Sequence, residues 1–126
     1  MLSPLIPNVL PPAGLPIPVD GIQCSFPILG FFSGNSRNSI NPRLVLFPEY
    51  FEIKVLNTKR HVYSALKQVS YKAAWFIMQE QVILELHDGT EYYLKLSYDL
   101  TTKRLLHFFR QRGLPLSATA QKALAT

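Results

Sequence analysis

The chain has 126 residues, which suits one domain with a modest hydrophobic core. Its residues are 48% hydrophobic and 17% charged, a balance that excludes a disordered chain and is typical of a globular protein. Thirteen Lys and Arg residues against eight Asp and Glu residues give a net charge of +5, which favours attraction to phosphates, anionic lipid or an acidic partner.

Residues 1–20 contain six prolines and predict an extended, apolar arm of polyproline II or irregular structure. Proline at this density breaks a membrane helix, and no basic residue precedes Arg37, so neither a transmembrane helix nor a signal peptide is expected there. A cytoplasmic protein follows as the expectation. The arm either packs across its own domain or a neighbouring subunit, or serves as a Pro-rich ligand for an aromatic groove.

The next segment predicts two strands separated by a polar loop. Residues 21–32 alternate in the manner of a strand, and Pro27 predicts that this strand lies at a sheet edge or is bulged there. Ser33–Asn41 is the most polar stretch of the chain, and its composition predicts a loop. Arg43–Phe47 is a short apolar strand, and Pro48 with the following glutamate marks a turn.

Two further strands are predicted in the middle of the chain. Tyr50–Leu56 places its apolar residues on one face and charged residues on the other. Asn57–Arg60 is a predicted turn. Val62–Ser70 fits a strand with a kink or a short helical turn, and we predict a strand broken near Ala65.

A hairpin is predicted before the end of the strands. Ala73–Met78 and Gln81–Leu86 form either one long strand or two strands with a turn at residues 79–80, and Glu91–Leu96 forms the last strand. A three-residue loop at residues 87–89 pairs Leu86 with Thr90 and keeps the apolar rows of both strands on one face. That parity predicts a type I turn with Gly89 in the left-handed region.

The last third of the chain predicts one amphipathic helix from about Asp99 to Arg112, with Asp99 as its N-cap. Gly113 is a suitable residue for the C-terminal end of this helix. Residues 117–126 predict a tail or a short appended helix. An apolar stripe of Leu105, Leu106 and Phe109, with Phe108 at its margin, opposes a basic face of Lys103, Arg104, His107 and Arg110.

No catalytic fingerprint is present in the sequence, and we predict no enzymatic activity. The three histidines, His61, His87 and His107, lack metal-ligand spacing, so neither a metal site nor a cofactor is predicted. Cys24 lies in an apolar stretch, which predicts a buried and inert thiol. Carboxylates near the predicted hairpin are expected to be solvated and not to form an acid/base pair.

Two sets of basic residues are candidates for binding. The basic face of the helix is interpreted as its solvated side, because Lys and Arg are good helix formers. The second set spreads over consecutive strands and a turn, and would form a basic rim for phosphates or anionic headgroups if those strands are neighbours. The residues of this predicted rim are Lys54, Lys59, Arg60, Lys67 and Lys72.

Three segments together resemble a pleckstrin-homology-like domain, closest to the small bacterial and GRAM-like versions. They are residues 43–55, residues 62–69 with the sequence Tyr-Ser-Ala-Leu-Lys-Gln-Val at 63–69, and residues 82–96 with Asp-Gly-Thr-Glu-Tyr at 88–92, followed by the terminal helix. The resemblance covers residues 21–114 and implies a bent barrel of about seven antiparallel strands capped by one C-terminal helix. It also implies a binding module.

We therefore expect three parts: an arm at residues 1–20, a pleckstrin-homology-like domain at residues 21–114 and a tail at residues 115–126. The expected function is non-enzymatic binding through protein–protein contacts or self-assembly, which the apolar arm and the low charge fraction favour. The alternative is peripheral binding of anionic membrane lipid or another phosphate-bearing ligand through the predicted rim. A nucleic-acid partner is not expected.

Overall fold

The computed structural model describes residues 6–7, 9–28, 32–38 and 41–125, with the backbone alone for residues 28, 32–38 and 99. Antiparallel strands dominate this part of the chain and two helices follow them, which confirms the predicted mostly β class of α+β type. The elements are β1 (Leu15–Ile17), β2 (Val19–Ile28), β3 (Phe32–Asn38), β4 (Arg43–Leu46), β5 (Tyr50–Lys54), β6 (Thr58–Val62), β7 (Leu66–Lys72), β8 (Gln81–Leu86), β9 (Glu91–Leu96), α1 (Asp99–Gln111) and α2 (Ala118–Ala125).

The strands of the described residues form two sheets. One has four strands in the order β1-β4-β5-β6, and the other has five strands in the order β3-β2-β9-β8-β7. A single 3-10 turn, Tyr63–Ala65, lies between β6 and β7 and carries the chain from the first sheet to the second. The break predicted near Ala65 is therefore confirmed. The predicted bent barrel of about seven strands is not observed, because the described residues form nine strands in two separate sheets.

One apolar cluster joins both sheets and the first helix. It forms because each strand alternates: Phe51 and Ile53 of β5 are buried, as are Leu84 of β8 and Leu94 of β9, while the residues between them are more exposed. Phe51 contacts the ring of Tyr63 with centroids 5.8 Å apart, next to the turn that links the sheets. The cluster holds the two sheets and α1 together through apolar packing.

Helix α1 covers this cluster with the stripe that the sequence predicts. Leu105, Leu106 and Phe109 are fully buried, and Phe108 is also buried with its ring edge-on to Tyr63. The predicted N-cap is wrong: Tyr98 occupies that position with an extended backbone, and Asp99 is the first helical residue. The helix therefore starts without a side-chain cap.

The C-terminal end of α1 satisfies its last carbonyl groups through a Schellman motif. Gly113 has a φ of +76°, and its N–H donates to the Arg110 carbonyl at 3.0 Å. The Leu114 N–H donates to the Phe109 carbonyl at 3.1 Å. The role predicted for Gly113 is confirmed.

The β8–β9 hairpin has the predicted register. Leu84 pairs with Tyr92 and Val82 with Leu94, and the Leu86 N–H donates to the Thr90 carbonyl at 2.8 Å. Gly89 has a φ of +94°, in the left-handed region. The three-residue loop keeps both apolar rows on the buried face of the sheet.

Three predictions in the first half of the chain are wrong. Residues 32–38, predicted as part of a strand and a loop, form β3, because their backbone groups pair with β2 from Ile22 to Ile28. β2 is flanked by both β3 and β9, so it is not an edge strand, although its pairing with β9 ends at Ser25, before Pro27. The turn predicted at residues 57–60 lies at residues 55–57, and β6 begins at Thr58.

The described part of the arm packs on its own domain. Leu10 and Ile17 are buried in the core cluster, and β1 pairs with β4, with Leu15 opposite Leu46. Gly14 precedes β1 with a φ of +89°, and its N–H donates to the Pro11 carbonyl at 2.9 Å. A glycine turn therefore lays the end of the arm against the four-stranded sheet.

Substitution of two glycines by alanine should show how tightly the arm fits. An added Cβ at Gly14 would lie 2.6 Å from Val45 and 2.7 Å from Phe47, whereas nothing lies within 4 Å at Gly113. Positive φ costs an alanine about 1–2 kcal/mol at either site, and overpacking at Gly14 adds about 1–3 kcal/mol. Urea denaturation should therefore show a larger decrease in the free energy of unfolding for Gly14→Ala than for Gly113→Ala. Equal losses would contradict the close approach of the arm.

The residues after α1 cover the β7 edge of the five-stranded sheet. The Val69 N–H donates to the Pro115 carbonyl, and the Ser117 N–H donates to the Val69 carbonyl, both at 2.9 Å. Ala120 of α2 is fully buried and belongs to the core cluster. Of the alternatives predicted for residues 117–126, the short helix is the one observed. It protects an edge strand whose backbone would otherwise be open to pairing.

Candidate functional site

The β7–β8 hairpin ends in a two-residue loop closed by backbone hydrogen bonds. The Trp75 N–H donates to the Met78 carbonyl at 3.0 Å, and the Met78 N–H donates to the Trp75 carbonyl at 2.8 Å. This pairing continues the register that sets Lys72 opposite Gln81. The turn therefore lies at residues 76–77. Both predicted alternatives, one long strand and two strands with a turn at residues 79–80, are wrong. We call Trp75–Met78 the apolar tip.

The apolar tip exposes large side chains without packing them on the core. Trp75, Phe76 and Ile77 are 69%, 87% and 98% exposed, and Met78 is exposed as well. Phe76 has a φ of +53°, a conformation that costs a bulky residue about 1–3 kcal/mol. Contiguous exposed apolar residues mark interaction sites. Strain held at such a position is typical of a functional segment.

Hydrogen bonds fix the base of the tip to β7, to the end of β9 and to the start of α1. Gln79 Nε2 donates to the Leu96 carbonyl at 2.8 Å. The two carboxylate oxygens of Glu80 accept from different hydroxyls, Tyr71 Oη at 2.6 Å and Thr102 Oγ1 at 2.9 Å. The tip therefore projects from a base that three elements hold in place.

A cavity of about 670 Å³ lies beside this base, between the end of β7, α1 and α2. We call it the helix pocket. Its size falls within the range of about 300–1,000 Å³ that is usual for small-molecule sites. It has an apolar wall and a few polar groups, and its lining consists of Tyr71, Ala73, Glu80, Thr102, Lys103, Thr119, Lys122 and Ala123.

The residues of the predicted rim lie on different faces of the molecule. Lys54 and Arg60 share the outer face of the four-stranded sheet, because Lys54 pairs with Thr58 and Arg60 with Glu52. Arg60 forms an ion pair with Glu52 at 3.1 Å, and its guanidinium lies 4.1 Å from the centre of the Tyr50 ring. Arg60 is therefore engaged within its own sheet.

The remaining residues of the rim are separated from this face. Lys59 pairs with Ile53, which places it on the opposite side of the same sheet, toward the core. Lys67 and Lys72 belong to β7 in the five-stranded sheet, and both are exposed. Lys72 pairs with Gln81 at the base of the apolar tip. Of the predicted rim, Lys72 thus lies at the base of the tip but does not line the helix pocket, where the lysines are Lys103 and Lys122.

Lys59 instead lines a smaller cleft of about 180 Å³ between the sheets, together with Cys24 and Tyr92. The predicted burial of Cys24 is confirmed, and burial raises the pKa of its thiol, which Lys59 partly offsets. The Tyr92 hydroxyl and His61 Nε2 share a hydrogen bond of 2.8 Å. Burial also raises the pKa of Tyr92 well above its ordinary value. These groups are held in protonated or neutral forms, which does not favour nucleophilic chemistry.

The state of His61 should make stability depend on pH. Burial lowers the pKa of His61 below its ordinary value of 6.5, with Asp88 opposing the shift and Lys59 adding to it. The unfolded state therefore binds a proton at His61 more readily than the folded state does. The contribution of neutral His61 to the free energy of unfolding is present above about pH 6.5 and is lost as the pH falls through the folded-state pKa. We expect the urea midpoint to fall over this window. His61→Gln should flatten the profile, whereas His87→Gln in the exposed hairpin loop should not. An equally steep profile for His61→Gln would contradict this assignment.

The apolar tip is the feature that the sequence-based choice of site residues missed. The signal was present as four consecutive large apolar residues, Trp75 to Met78, without the polar alternation of a half-buried strand. Lys103 was assigned to the solvated face of the helix, and it is exposed, but it also lines the helix pocket. Sequence alone could not place it beside Lys122, which lies in another helix.

Neither helix in the described ranges has the length and apolar composition that a membrane crossing requires. Groups of His, Cys, Asp and Glu able to hold a metal ion are likewise not found among the described residues. Compared with protein-family models and with curated proteins, the chain gives no match.

Proposed function

We propose that this protein is a non-enzymatic binding module that docks on an anionic membrane surface by inserting the apolar tip. The observation that carries the proposal is the exposure of Trp75, Phe76 and Ile77 at the end of a hairpin whose base carries lysines. This is the peripheral mode that the sequence predicts as an alternative, with a different set of contact residues. An anionic cytoplasmic leaflet is the surface that fits the expected location.

The backbone of the tip favours lipid over a protein partner. Backbone groups that enter a bilayer must be satisfied within the protein, because the hydrocarbon offers no hydrogen-bonding partner. The N–H and carbonyl groups of Trp75 and Met78 are paired with each other. Those of the two turn residues between them have no backbone partner among the described residues, which restricts insertion of the backbone to the depth of the headgroups. Trp is also enriched at membrane–water interfaces. A narrow turn with closed hydrogen bonds suits shallow insertion better than the flat patch typical of a protein interface.

Charge at the base of the tip supports the same surface. Lys72, Lys103 and Lys122 are exposed around the base, and the acidic Glu80 there already accepts hydrogen bonds on both oxygens. Each lysine near an anionic surface contributes about 1 kcal/mol. Burial of Phe76 and Ile77 contributes about 1.5–3 kcal/mol each. The sum of about 6–9 kcal/mol corresponds to reversible binding in the micromolar range before ordering costs.

The pleckstrin-homology-like assignment is part of this proposal. It is supported by an antiparallel fold in two sheets, by the tight β8–β9 hairpin at Gly89 and by the helix that follows β9 and packs on the core. The proposal places the contact on the β7–β8 hairpin and the two helices, and gives the rest of the predicted rim no role in it.

Co-sedimentation of the full chain with vesicles tests the proposal. We expect binding to vesicles that contain phosphatidylserine, weaker binding to pure phosphatidylcholine, and a loss with rising salt as the lysines are screened. Light scattering of the same protein without vesicles tests self-assembly. Absence of binding to anionic vesicles at low salt would overturn the proposal. A stable oligomer that does not bind vesicles would also overturn it, in favour of the self-assembly that the sequence equally predicts.

A further inference from the structure

We propose that the cleft of about 180 Å³ between the two sheets binds a small aromatic monocarboxylate, a molecule of the size and charge of benzoate. Two of its lining residues, Cys24 and Tyr92, pair with each other near the start of β9, next to the hairpin loop at residues 87–89. The apolar tip lies before β8 and this loop lies after it, and the 6 residues of β8 span about 20 Å. The cleft is therefore separate from the surface proposed to meet a membrane.

The apolar walls of the cleft match a single aromatic ring. Ile53, Val55 and Tyr92 line it and are each buried, and half-buried Phe26 adds a further ring from β2. An apolar cavity of about 150 Å³ is large enough to hold one benzene ring. Pockets for drug-sized ligands are larger, at about 300–1,000 Å³. The volume therefore restricts the occupant to one ring with a small substituent.

Lys59 supplies the positive charge that a carboxylate would meet at the mouth of the cleft. It lines the cleft from the core side of β6, and its side chain is exposed, so the ammonium group remains in reach of solvent. Among the residues that the structure describes, no carboxylate forms an ion pair with it. An inward charge also discourages an edge strand such as β6 from pairing with another chain, but that role requires no cavity beside the charge. A lysine next to an apolar cavity favours a ligand that combines a ring with an anionic group.

The other polar groups near the cleft favour a singly charged ligand. Asn57 lines the cleft and can donate its amide hydrogens to a carboxylate. Asp88 in the hairpin loop acts electrostatically on both Cys24 and His61, so its negative charge opposes any anion in the cleft. Because this repulsion grows with the charge of the ligand, a monocarboxylate is opposed less than a phosphate dianion. The charges and the apolar walls therefore agree on the same class of molecule.

Titration of the full chain with benzoate, followed by NMR, tests the proposal. We expect saturable shifts at Cys24, Ile53 and Tyr92 with a dissociation constant of about 1 mM or lower. Benzamide has the same shape without the charge, and acetate has the same charge without the ring. Each should bind at least about tenfold more weakly, because each lacks one of the two interactions. Absence of saturable shifts with benzoate would overturn the proposal, and so would equal binding of benzamide or of acetate.

Charge variants test the part given to Lys59. Lys59→Gln should weaken benzoate binding about tenfold, the effect of removing one charged hydrogen bond. Lys54→Gln is the matched control, since it removes the same charge from the outer face of the same sheet and should leave the affinity unchanged. Asp88→Asn should strengthen binding, because its amide oxygen can still accept the Thr90 N–H while the repulsion is removed. Equal weakening in Lys59→Gln and Lys54→Gln would reduce the effect to net charge and overturn the site.

Discussion

Phe76→Gly combined with Ile77→Ser is expected to weaken binding to anionic vesicles about 100-fold. The two side chains are 87% and 98% exposed, so their removal takes away no core packing and only the edge-on contact of the Phe76 ring with Trp75 at 4.5 Å between centroids. Their transfer into the acyl region contributes at least about 3 kcal/mol together, which corresponds to a factor of about 100 in the dissociation constant. Sedimentation over a range of lipid concentrations measures the change.

The design of this variant protects the fold. Phe76 has a φ of +53°, and a two-residue hairpin loop with positive φ at its first position favours glycine there. The substitution therefore relieves strain, and the urea midpoint should stay the same or rise. Leu56→Ser is the matched control, since Leu56 is 69% exposed, as is Trp75, but lies between β5 and β6. Undiminished vesicle binding by the tip variant, or an equal loss in the control, would contradict insertion of the tip.

Local patterns predicted the elements whose geometry is decided within a few residues. The β8–β9 register was predicted from the requirement that Leu84 and Tyr92 face the same side across a three-residue glycine turn. The observed strand pairing and the positive φ of Gly89 agree with that prediction. The stripe of α1 follows from a period of 3.6 residues, and Phe109 is buried as that period requires. In these segments, a single arrangement buries the whole apolar row or stripe that faces the core.

Elements that depend on distant backbone pairing were predicted poorly. β3 contains a polar stretch that composition assigns to a loop, yet it forms a strand because β2 offers it a partner from Ile22 to Ile28. The division of the strands between two sheets has the same origin. No local sequence pattern at Tyr63–Ala65 indicates that the strands on its two sides belong to different sheets. Backbone hydrogen bonds form with any residue type, so whether such a segment becomes a strand depends on whether a neighbouring strand is available to pair with it.

The candidate site shows the same limit. Lys59 and Arg60 are adjacent in the sequence, and their alternation along β6 sends them to opposite faces of the sheet. Lys72, Lys103 and Lys122 come from a strand and two helices, and only the packing of α1 and α2 beside the β7–β8 hairpin brings them to one end. A count of basic residues along the chain could give the sign of the partner's charge but not the surface that meets it.

Phe109→Ala is expected to lower the free energy of unfolding by about 3–5 kcal/mol. The Phe109 side chain is fully buried, contacts the ring of Phe108 with centroids 5.4 Å apart, and belongs to the cluster that joins α1 to both sheets. Its truncation leaves a cavity that the rigid sheets cannot fill. Because small domains are stable by only about 5–15 kcal/mol, this is a large fraction of the total. Guanidinium denaturation followed by circular dichroism measures it.

Leu100→Ala in the same helix is the control for this experiment. Leu100 is 44% exposed in the first turn of α1, so its truncation should cost less than about 1 kcal/mol. Both substitutions place alanine, the best helix former, at a helical position, so helix propensity cannot explain a difference between them. If Phe109→Ala lowered the free energy of unfolding no more than Leu100→Ala does, the packing of α1 on the core would not contribute to stability as inferred. The base of the apolar tip is tied to Thr102 of α1, so a loosened helix would also release the docking hairpin. Stability of the core and affinity for vesicles should therefore fall together in Phe109→Ala, whereas the tip variant should lose affinity alone.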